Sequence, residues 1–366
     1  MSIAALARPE IVAMKPYSSA RKEAPADGIL LNANEFPWSL LDGHGTETLL
    51  NRYPDPQPGQ LIERLAQLYQ VPQDSLLVTR GSDEGIDLLT RVFCRAGQDA
   101  IVNIPPTFGM YRIAAQTQGA AIIDLPRIAA QDFAIDTAAV LRAVTQDQRV
   151  RLVFLTSPNN PTGDCVDGAF LEALLTASRE RALIVVDEAY AEFCDQPSAT
   201  RLMAQHPHLV VLRTLSKAWA AAGLRCGVVV AQPEVIDLLG RVIAPYPLAS
   251  PVTALALRVL QPEMMVRQQT MLGEMARNKQ RLIAILRNRT CVQRLWPGEA
   301  NFVLVQVTDA PGLLAHCACD GVILRGYRND PTLQGCIRIS VGSQQDLAAL
   351  ERSLDRWDGA NARRAT

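Results

Sequence analysis

The sequence predicts an α/β fold, in which a large domain with a mostly parallel sheet between helices precedes a smaller α+β domain. Short, continuously apolar runs recur along the middle of the chain, which is typical of strands buried on both faces. Helical stretches alternate with these runs, as they do in α/β folds. The prolines of IAPYPLASP, residues 243–251, interrupt regular structure and indicate where the second domain begins.

The candidate elements follow one another in a regular order. The strand SLLVTRG leads into the amphipathic stretch SDEGIDLLTRVFCRAG, and six further strand candidates follow it: DAIVNIPP, AAIIDLP, VRLVFLTSPNN, ALIVVDEAY, LVVLRTLS and RCGVVVA. After the proline-rich stretch, the pattern predicts one long helical stretch from ALALRVL to IAILRN. The strands NFVLVQV and CIRISVG, with a helix near 310–319 between them, complete the smaller domain. We expect an N-terminal arm over 1–45 that contributes to the small domain, the large domain over 46–250 and the small domain over 251–366.

Composition excludes several classes of partner. The chain has 366 residues, 48% of them hydrophobic and 20% charged, with a formal net charge of -1. This near-neutral charge gives no reason to expect nucleic acid or an anionic membrane as a partner. The longest apolar runs fall far short of the roughly 20 residues that span a bilayer. Arg8, Pro9 and Glu10 interrupt any signal-peptide core, so we expect a cytoplasmic protein.

The eight cysteines are scattered along the chain. In a chain of this size we expect them to be reduced, buried small side chains and not disulfides. The cluster HCAC, residues 316–319, has no second ligand pair at the spacing of a zinc site, so no metal site is predicted.

Polar clusters follow four of the predicted strands: TRGSDEG, TSPNNPTG, VVDEAY and LRTLSKA. Ligands of open α/β sheets bind just beyond the carboxyl ends of the strands. Each cluster alone has an ordinary explanation, because Gly-Ser-Asp can cap a helix and Pro-Asn-Asn-Pro can form a turn. Together, however, they bring an amide, a carboxylate, a phenol, a lysine and a helix N-terminus to one edge of the sheet.

This set of groups matches the chemistry of pyridoxal 5'-phosphate (PLP). A lysine that forms a Schiff base must lose its proton, which desolvation or cationic neighbours favour. A pyridine cofactor needs a carboxylate at its ring nitrogen, and its phenolic oxygen needs donors such as an amide or a phenol. Its phosphate needs a helix N-terminus and an arginine. A nicotinamide cofactor needs no lysine, and no strand here leads into G-x-G-x-x-G.

The motifs also carry a family resemblance. SPNNPTG, DEAY, TLSKAWAAAGLRCG and CIRISVG, in this order, resemble the fold-type I PLP-dependent aminotransferases. The blocks LNANEFPW, NRYPDPQP, TRGSDEGIDLL, PPTFGMY and IAPYPL resemble those of the histidinol-phosphate aminotransferases within that group. The resemblance extends from about Tyr17 to Gly342. The lysine block is specific for the superfamily, whereas the Asn-Arg-Tyr-Pro and Asn-Ala-Asn-Glu blocks point to the subfamily.

The resemblance implies a role for each residue that contacts the cofactor ring. Lys217 would be the Schiff-base lysine and would move a proton between Cα and C4'. Asp187 would pair with the pyridinium nitrogen, and Asn160 and Tyr190 would hydrogen-bond the ring oxygen. Phe108 would stack on the ring, where close relatives usually have tyrosine. Stacking needs only the ring face, so this departure removes a hydroxyl and any hydrogen bond it makes, but not the packing.

The resemblance also implies how the phosphate groups are bound. The cofactor phosphate would be held by Ser82 and Asp83 at a helix start, together with Ser216 and Arg225. In this family, the tyrosine of Asn-Arg-Tyr-Pro reaches the cofactor phosphate of the neighbouring subunit. Tyr53 therefore implies a homodimer with shared sites, to whose interface the N-terminal arm would contribute.

Three residues are candidates for the substrate itself. Arg338 would bind a carboxylate of the amino-acid or oxo-acid substrate, although it could instead pair or cap within the small domain. Tyr17, on the N-terminal arm, and Arg325 are candidates for the substrate phosphate.

The implied reaction is transfer of an amino group between L-histidinol phosphate and 2-oxoglutarate in histidine biosynthesis, giving imidazole acetol phosphate and glutamate. Two alternatives share the cofactor residues: an aromatic amino-acid aminotransferase, and a lyase or decarboxylase acting on a phosphorylated amino acid. A PLP-sensing regulator would need a fused DNA-binding domain, and the sequence contains no basic helix-turn-helix segment for one. Only Tyr17, Arg325 and Arg338 distinguish the enzymatic alternatives.

Overall fold

The computed structural model describes residues 3–17, 29, 31–41 and 50–365, with side chains up to residue 359. Within these residues the chain forms a large sheet of seven strands and a smaller one of four. Among these residues, a helix with the length and apolar character that a membrane crossing requires is not found. All eight cysteines lie in the described part of the chain and are free thiols.

The large sheet confirms the predicted fold class. Its strands are β1 (Leu76–Thr79), β2 (Ala100–Asn103), β3 (Ala121–Asp124), β4 (Val150–Thr156), β5 (Leu183–Asp187), β6 (Leu209–Thr214) and β7 (Gly227–Val230). They lie in the order β1-β7-β6-β5-β4-β2-β3, and only β7 runs antiparallel to its neighbours. The carboxyl ends of β1, β2, β4, β5 and β6 therefore meet at one edge, together with the amino end of β7.

Helices cover both faces of this sheet. They are α1 (Pro9–Ala13), α2 (Gly59–Tyr69), α3 (Ser82–Phe93), α4 (Met110–Gln118), α5 (Thr137–Gln146), α6 (Gly168–Ala177), α7 (Pro233–Gly240) and α8 (Ser250–Val259). Successive strand residues point to opposite faces, so Val153 and Leu155 of β4 enter one core while Leu152 and Phe154 enter the other. This double burial explains why the central strands are almost continuously apolar.

The described start of the N-terminal arm packs against the large domain. Ile3 and Ile11 are buried in the core that contains α3 and α7. The backbone N–H of Arg8 donates to the carbonyl of Val92, at 2.9 Å, and that of Ile3 donates to Glu234. The described start of the arm thus packs on the large domain. The contribution of the arm to the small domain and the boundaries at residues 45 and 250 stay predictions.

The smaller unit contains α9 (Pro262–Arg287), β8 (Val292–Trp296), β9 (Phe302–Val307), α10 (Ala310–Cys319), β10 (Arg325–Gly326), β11 (Cys336–Ser340) and α11 (Gln344–Ala365). Its antiparallel sheet has the strand order β10-β11-β9-β8. The prediction of one continuous helical stretch is wrong, because the helical structure is interrupted between α8 and α9. Pro262 begins α9, since proline lacks an N–H and clashes with a preceding helical turn.

Several contacts join the two units near the site, and two of them involve loops of the large domain. Phe133 of the large domain is 2% exposed and packs on Trp296, whose indole N–H donates to Asp132 at 2.7 Å. The second contact joins the loop after β4 to the loop before β9, where the N–H of Glu299 donates to the carbonyl of Gly163 at 2.6 Å. These contacts hold β11, which carries Arg338, against the edge where the large-sheet strands end.

Candidate active site

A cavity opens at the edge of the large sheet where the parallel strands end. Nine of the ten residues that the sequence predicts to bind a cofactor line it: Ser82, Asp83, Phe108, Asn160, Asp187, Tyr190, Ser216, Lys217 and Arg225. They come from six separate stretches of the chain. Their convergence follows from the strand order, because a parallel sheet brings the segments after its strands to one edge.

Lys217 follows β6 and extends its side chain into this cavity. Its Nζ lies 5.6 Å from the ring centroid of Tyr190. Desolvation at the site lowers the pKa of the Lys217 ammonium, and the positive charges of Arg338 and Arg225 lower it further. Both effects favour the neutral amine, which is the nucleophilic form and the form that accepts a proton.

Asp187 ends β5 and is 2% exposed. Its Oδ2 accepts a hydrogen bond from the Tyr111 hydroxyl at 2.8 Å, and its Oδ1 accepts one from the backbone N–H of Ala189 at 3.1 Å. Burial raises the pKa of Asp187 to about 6, against the lowering effect of these two donors. A buried carboxylate of this kind gains most from a cation placed beside it, and a protonated pyridine nitrogen is one such cation.

Asn160 and Tyr190 offer donors on neighbouring loops. The Arg338 guanidinium donates to the side-chain oxygen of Asn160, which leaves the Asn160 NH₂ group as the part that can donate to a ligand. Burial raises the pKa of the Tyr190 phenol to about 12, so this phenol stays protonated at neutral pH and can also donate. The two side chains can therefore stabilise a negatively charged oxygen in the cavity.

The start of α3, at Ser82 and Asp83, forms a candidate anion-binding site together with Arg225. We call this site the phosphate corner. Ser82 is the first residue of α3, so the backbone N–H groups at this end lack partners within the helix and the helix dipole is positive there. Gly227 passes so close that a Cβ on it would lie 2.5 Å from the backbone of Gly81 and Ser82. Arg225 stands beside this corner and pairs with Asp83 at 3.0 Å. Asp83 carries the wrong charge for an anion, so its contribution is its N–H group and the placement of Arg225.

The predicted stacking residue also lines the cavity. Phe108 is half-buried between β2 and α4, and its ring meets the Tyr111 ring edge-on with 5.8 Å between centroids. The ring is thus held in place by a second aromatic side chain that is itself buried.

The residues predicted to bind substrate, or to act from a neighbouring subunit, lie outside this cavity. Arg338 of β11 pairs in register with Arg325 of β10, so the two arginines share one face of the small sheet. The Arg338 guanidinium donates a hydrogen bond to Asn160, which lines the cavity, whereas Arg325 is exposed. Tyr53 is 48% exposed and stacks on Tyr246 with 4.7 Å between centroids, and Tyr17 is 68% exposed.

Sequence reasoning missed several members of the site. Thr156, Thr214, Ala189 and Ala222 line the cavity, and Tyr111 lies behind it as the donor to Asp187. Positions beside the polar clusters could have indicated the four lining residues. Tyr111 carries no such signal, because a tyrosine on the buried face of a helix is indistinguishable from an ordinary core aromatic in sequence.

The donor set fits PLP. Four kinds of group surround one cavity: the Lys217 amine with its lowered pKa, the buried Asp187 carboxylate, two hydrogen-bond donors for an oxygen, and the phosphate corner. The close approach of β7 to the start of α3 requires glycine at residue 227. The arrangement can hold the cofactor ring at one end and its phosphate at the other.

Comparison with known proteins agrees with this chemistry. Residues 18–355 match the family model described as aminotransferase class I and II. The chain is 43% identical over 363 residues to the histidinol-phosphate aminotransferase of Cronobacter sakazakii, covering 99% of each chain. It is 42% identical over 361 residues to the enzyme of the same name from Pectobacterium atrosepticum, again covering 99% of each.

Solved structures show the same fold. The histidinol-phosphate aminotransferase of Sinorhizobium meliloti, in complex with pyridoxal-5'-phosphate, superposes with a TM-score of 0.75 at 22% identity, covering 86% of this chain and 83% of that one. The L-threonine-O-3-phosphate decarboxylase of Porphyromonas gingivalis gives a TM-score of 0.71 at 20% identity, covering 87% and 97%. At these identities the similarity is one of fold.

Proposed function

The chain belongs to the class I and II aminotransferases, and on that premise we propose that it binds PLP and transfers an amino group between L-histidinol phosphate and 2-oxoglutarate. This reaction yields imidazole acetol phosphate and glutamate and belongs to histidine biosynthesis. The observation that carries the proposal is the cavity in which Lys217, Asp187 and the phosphate corner at Ser82 converge. The names and the high identity of the two bacterial relatives support the substrate.

Lys217 is the residue that binds the cofactor and moves the proton. Bound here, PLP supplies an electron sink for the substrate carbon that loses its proton. With the cofactor bound, the Lys217 amine would take the proton from substrate Cα and return it at C4'. Its lowered pKa suits it to both steps, since an amine must be neutral to accept a proton and protonated to return it.

The remaining cavity residues hold the cofactor and keep its charge distribution. Asp187 retains a proton on the ring nitrogen, and the low-dielectric surroundings strengthen that pair. Asn160 and Tyr190 donate to the ring oxygen, and Phe108 covers the ring face. At the other end, Arg225, Ser216 and the first N–H groups of α3, at Ser82 and Asp83, bind the phosphate.

The substrate is recognised from the small sheet and from a second subunit. Arg338 lies beside Asn160 and binds the carboxylate of glutamate or 2-oxoglutarate. Arg325 and Tyr17 are left for the substrate phosphate, because Arg225 and the start of α3 already hold that of the cofactor. We place Tyr53 at the cofactor phosphate of the neighbouring subunit in a homodimer.

The exposed surface supports this dimer. Phe36, Trp38, Tyr17 and Tyr53 are 63%, 72%, 68% and 48% exposed, although large aromatic side chains favour burial. These residues belong to the N-terminal arm and the segment after it. A partner subunit that covers them would remove an apolar surface from water and bring Tyr53 to its site.

Reduction with borohydride tests the cofactor assignment. The purified, cofactor-loaded protein should be yellow, and borohydride should fix the cofactor to the peptide that contains Lys217. Lys217→Ala should fold and lose this attachment, because the side chain belongs to the cavity and not to a core. Attachment to Lys279 or any other lysine would overturn the assignment.

A stopped-flow screen of half-reactions tests the substrate. Loss of the cofactor absorbance is followed with L-histidinol phosphate, unphosphorylated histidinol, phenylalanine and tyrosine. Charge-assisted hydrogen bonds contribute roughly 1.5–3 kcal/mol each, so two of them to phosphate amount to a preference of about 10² or more in kcat/KM. If phenylalanine or tyrosine reacts fastest, the enzyme is an aromatic aminotransferase.

A further inference from the structure

Two thiols lie in contact next to the candidate active site. The Sγ atoms of Cys165 and Cys194 are 3.2 Å apart, and both side chains are half-buried. Cys165 follows β4 and lies five residues after Asn160, while Cys194 follows β5 and lies four residues after Tyr190. The contact therefore joins the two loops that carry the donors for the ring oxygen, and neither thiol has a role in the proposed reaction.

The surroundings of the two sulfurs differ. The backbone N–H of Gln196 donates to the Cys194 Sγ at 3.2 Å. Burial raises the pKa of the Cys165 thiol, and the neighbouring charge of Glu299 raises it further. Cys194 is thus better placed to react first, and Cys165 is better placed to react second.

A cation lies beside the pair. Lys279 of α9 donates through Nζ to the carbonyls of Gly298 at 2.6 Å and Ala300 at 2.8 Å, which holds it near both thiols. Its positive charge favours a thiolate, whereas Glu299, on the same loop, opposes one. Both of these charged side chains come from the small unit.

We propose that Cys165 and Cys194 are an oxidation site that a peroxide converts into a reversible disulfide. The Cys194 thiolate attacks one peroxide oxygen, the O–O bond breaks and, after protonation, water or an alcohol leaves, giving a sulfenic acid on Cys194. The Cys165 sulfur then attacks the Cys194 sulfur, the S–S bond forms and water leaves. The two thiols lose two electrons and two protons in total, which the peroxide takes up, and a dithiol reductant reverses the change.

The bond would link the two donor loops covalently. Disulfide sulfurs are about 2 Å apart, so the loops need to approach by only about 1 Å. The link spans 29 residues of sequence and restricts the unfolded chain, so the oxidised protein should resist thermal unfolding better than the reduced one. This inference is independent of the substrate and of the cofactor.

Peptide mapping of the full-length protein tests the site. The reduced protein is treated with a small excess of hydrogen peroxide, remaining thiols are alkylated, and the digest is analysed without reduction. We expect the peptides of Cys165 and Cys194 to be joined at a mass two hydrogens below their sum, and dithiothreitol to separate them. The apparent melting temperature should rise by several degrees on oxidation and return on reduction.

Three variants provide the controls. Cys319→Ser removes an exposed thiol and should leave the link intact. Cys165→Ser should abolish the link and the rise in melting temperature, and Cys194 should then be trapped by dimedone as a sulfenic acid. Recovery of Cys165 and Cys194 as alkylated thiols, while Cys319 is oxidised, would overturn the proposal. Dimedone labelling of Cys165 in Cys194→Ser, without labelling of Cys194 in Cys165→Ser, would overturn the order of attack.

Discussion

The hydroxyl of Tyr111 donates a hydrogen bond of 2.8 Å to Oδ2 of Asp187, and both side chains are almost fully buried. Thr156 lies 2.8 Å from the same hydroxyl, and the Tyr111 ring stacks on Phe154 with 4.6 Å between centroids. Asp187 is thus aimed at the cavity by a residue that does not line it. This hydrogen bond lowers the pKa of Asp187 against the larger effect of burial, which raises it.

Tyr111→Phe should slow the reaction without disturbing the core. The variant retains the ring that packs on Phe154 and loses only the donor to Asp187. A hydrogen bond to a charged group contributes about 1.5–3 kcal/mol, so kcat should fall by about tenfold or more. The acid limb of the pH–rate profile should also move to higher pH, because the carboxylate loses a stabilising donor. Wild-type kcat with an unmoved acid limb would show that the bond has no part in catalysis.

In the cofactor-free protein, Asp187 should contribute a loss of stability as the pH rises from about 4 to about 6. The pKa of Asp187 is raised from 3.8 to about 6, so in this window the folded state holds a proton that the unfolded state has released. The stabilising contribution of Asp187 to the free energy of unfolding is therefore fully present below the pKa of the unfolded state. It is lost as the pH rises through the pKa of the folded state, by up to about 3 kcal/mol. Urea unfolding at several pH values between about 4 and about 6 measures this change in the free energy of unfolding. Asp187→Asn should not show this loss, and an identical slope in both proteins would contradict the assignment.

Gly227→Ala should prevent cofactor binding. A Cβ at this position would lie 2.5 Å from the carbonyl carbon of Gly81 and from the nitrogen of Ser82, and backbone atoms cannot move aside as a side chain can. The start of α3 would have to shift, which disrupts the phosphate corner. Gly223→Ala is the matched control, because a Cβ there has no neighbour within 4 Å. Cofactor affinity is measured by titration of the absorbance. Equal affinity of the two variants would contradict the assignment of the start of α3 as the binding site of the cofactor phosphate.

Mixed dimers should restore activity that two separate variants have lost. Tyr53→Ala and Lys217→Ala each disable both sites of their own homodimer if Tyr53 acts across the interface. In a mixed dimer, one site receives both defects and the other receives neither, so mixing after reversible dissociation should recover part of the activity. The number of mixed dimers is measured with differently tagged subunits. Mixed dimers without activity would place Tyr53 in the site of its own subunit.

Arg325→Ala and Arg338→Ala should damage different halves of the reaction. Arg338 bonds Asn160 at the cavity, so its loss should mainly slow the half-reaction with glutamate. Arg325 is exposed on the neighbouring strand, and its loss should remove most of the preference for L-histidinol phosphate over histidinol, by roughly tenfold or more. Half-reactions measured separately for each amine check this division. Equal losses in both half-reactions for both variants would contradict it.

The sequence by itself determined the class of the fold and the chemistry of the cavity. The seven strands of the large sheet lie where continuously apolar runs predict them. Six of them are largely buried, which favours apolar residues on both faces, whereas β3 at the edge of the sheet is partly exposed. Lys217, Asp187 and Asn160 stand directly after such runs. Their convergence could be predicted, since parallel strands bring their carboxyl ends to one edge.

Tertiary structure alone decided which residues surround these groups. The carboxylate of Asp187 meets Tyr111, 76 residues away in sequence, and Arg338 meets Asn160 at a separation of 178. Cys165 meets Cys194 only because β4 and β5 are neighbours in the sheet. A local pattern records whether a residue is apolar and which face it occupies. Contacts between distant segments depend on how whole elements pack, and so does the low dielectric around them that raises the pKa of Asp187 and lowers that of Lys217.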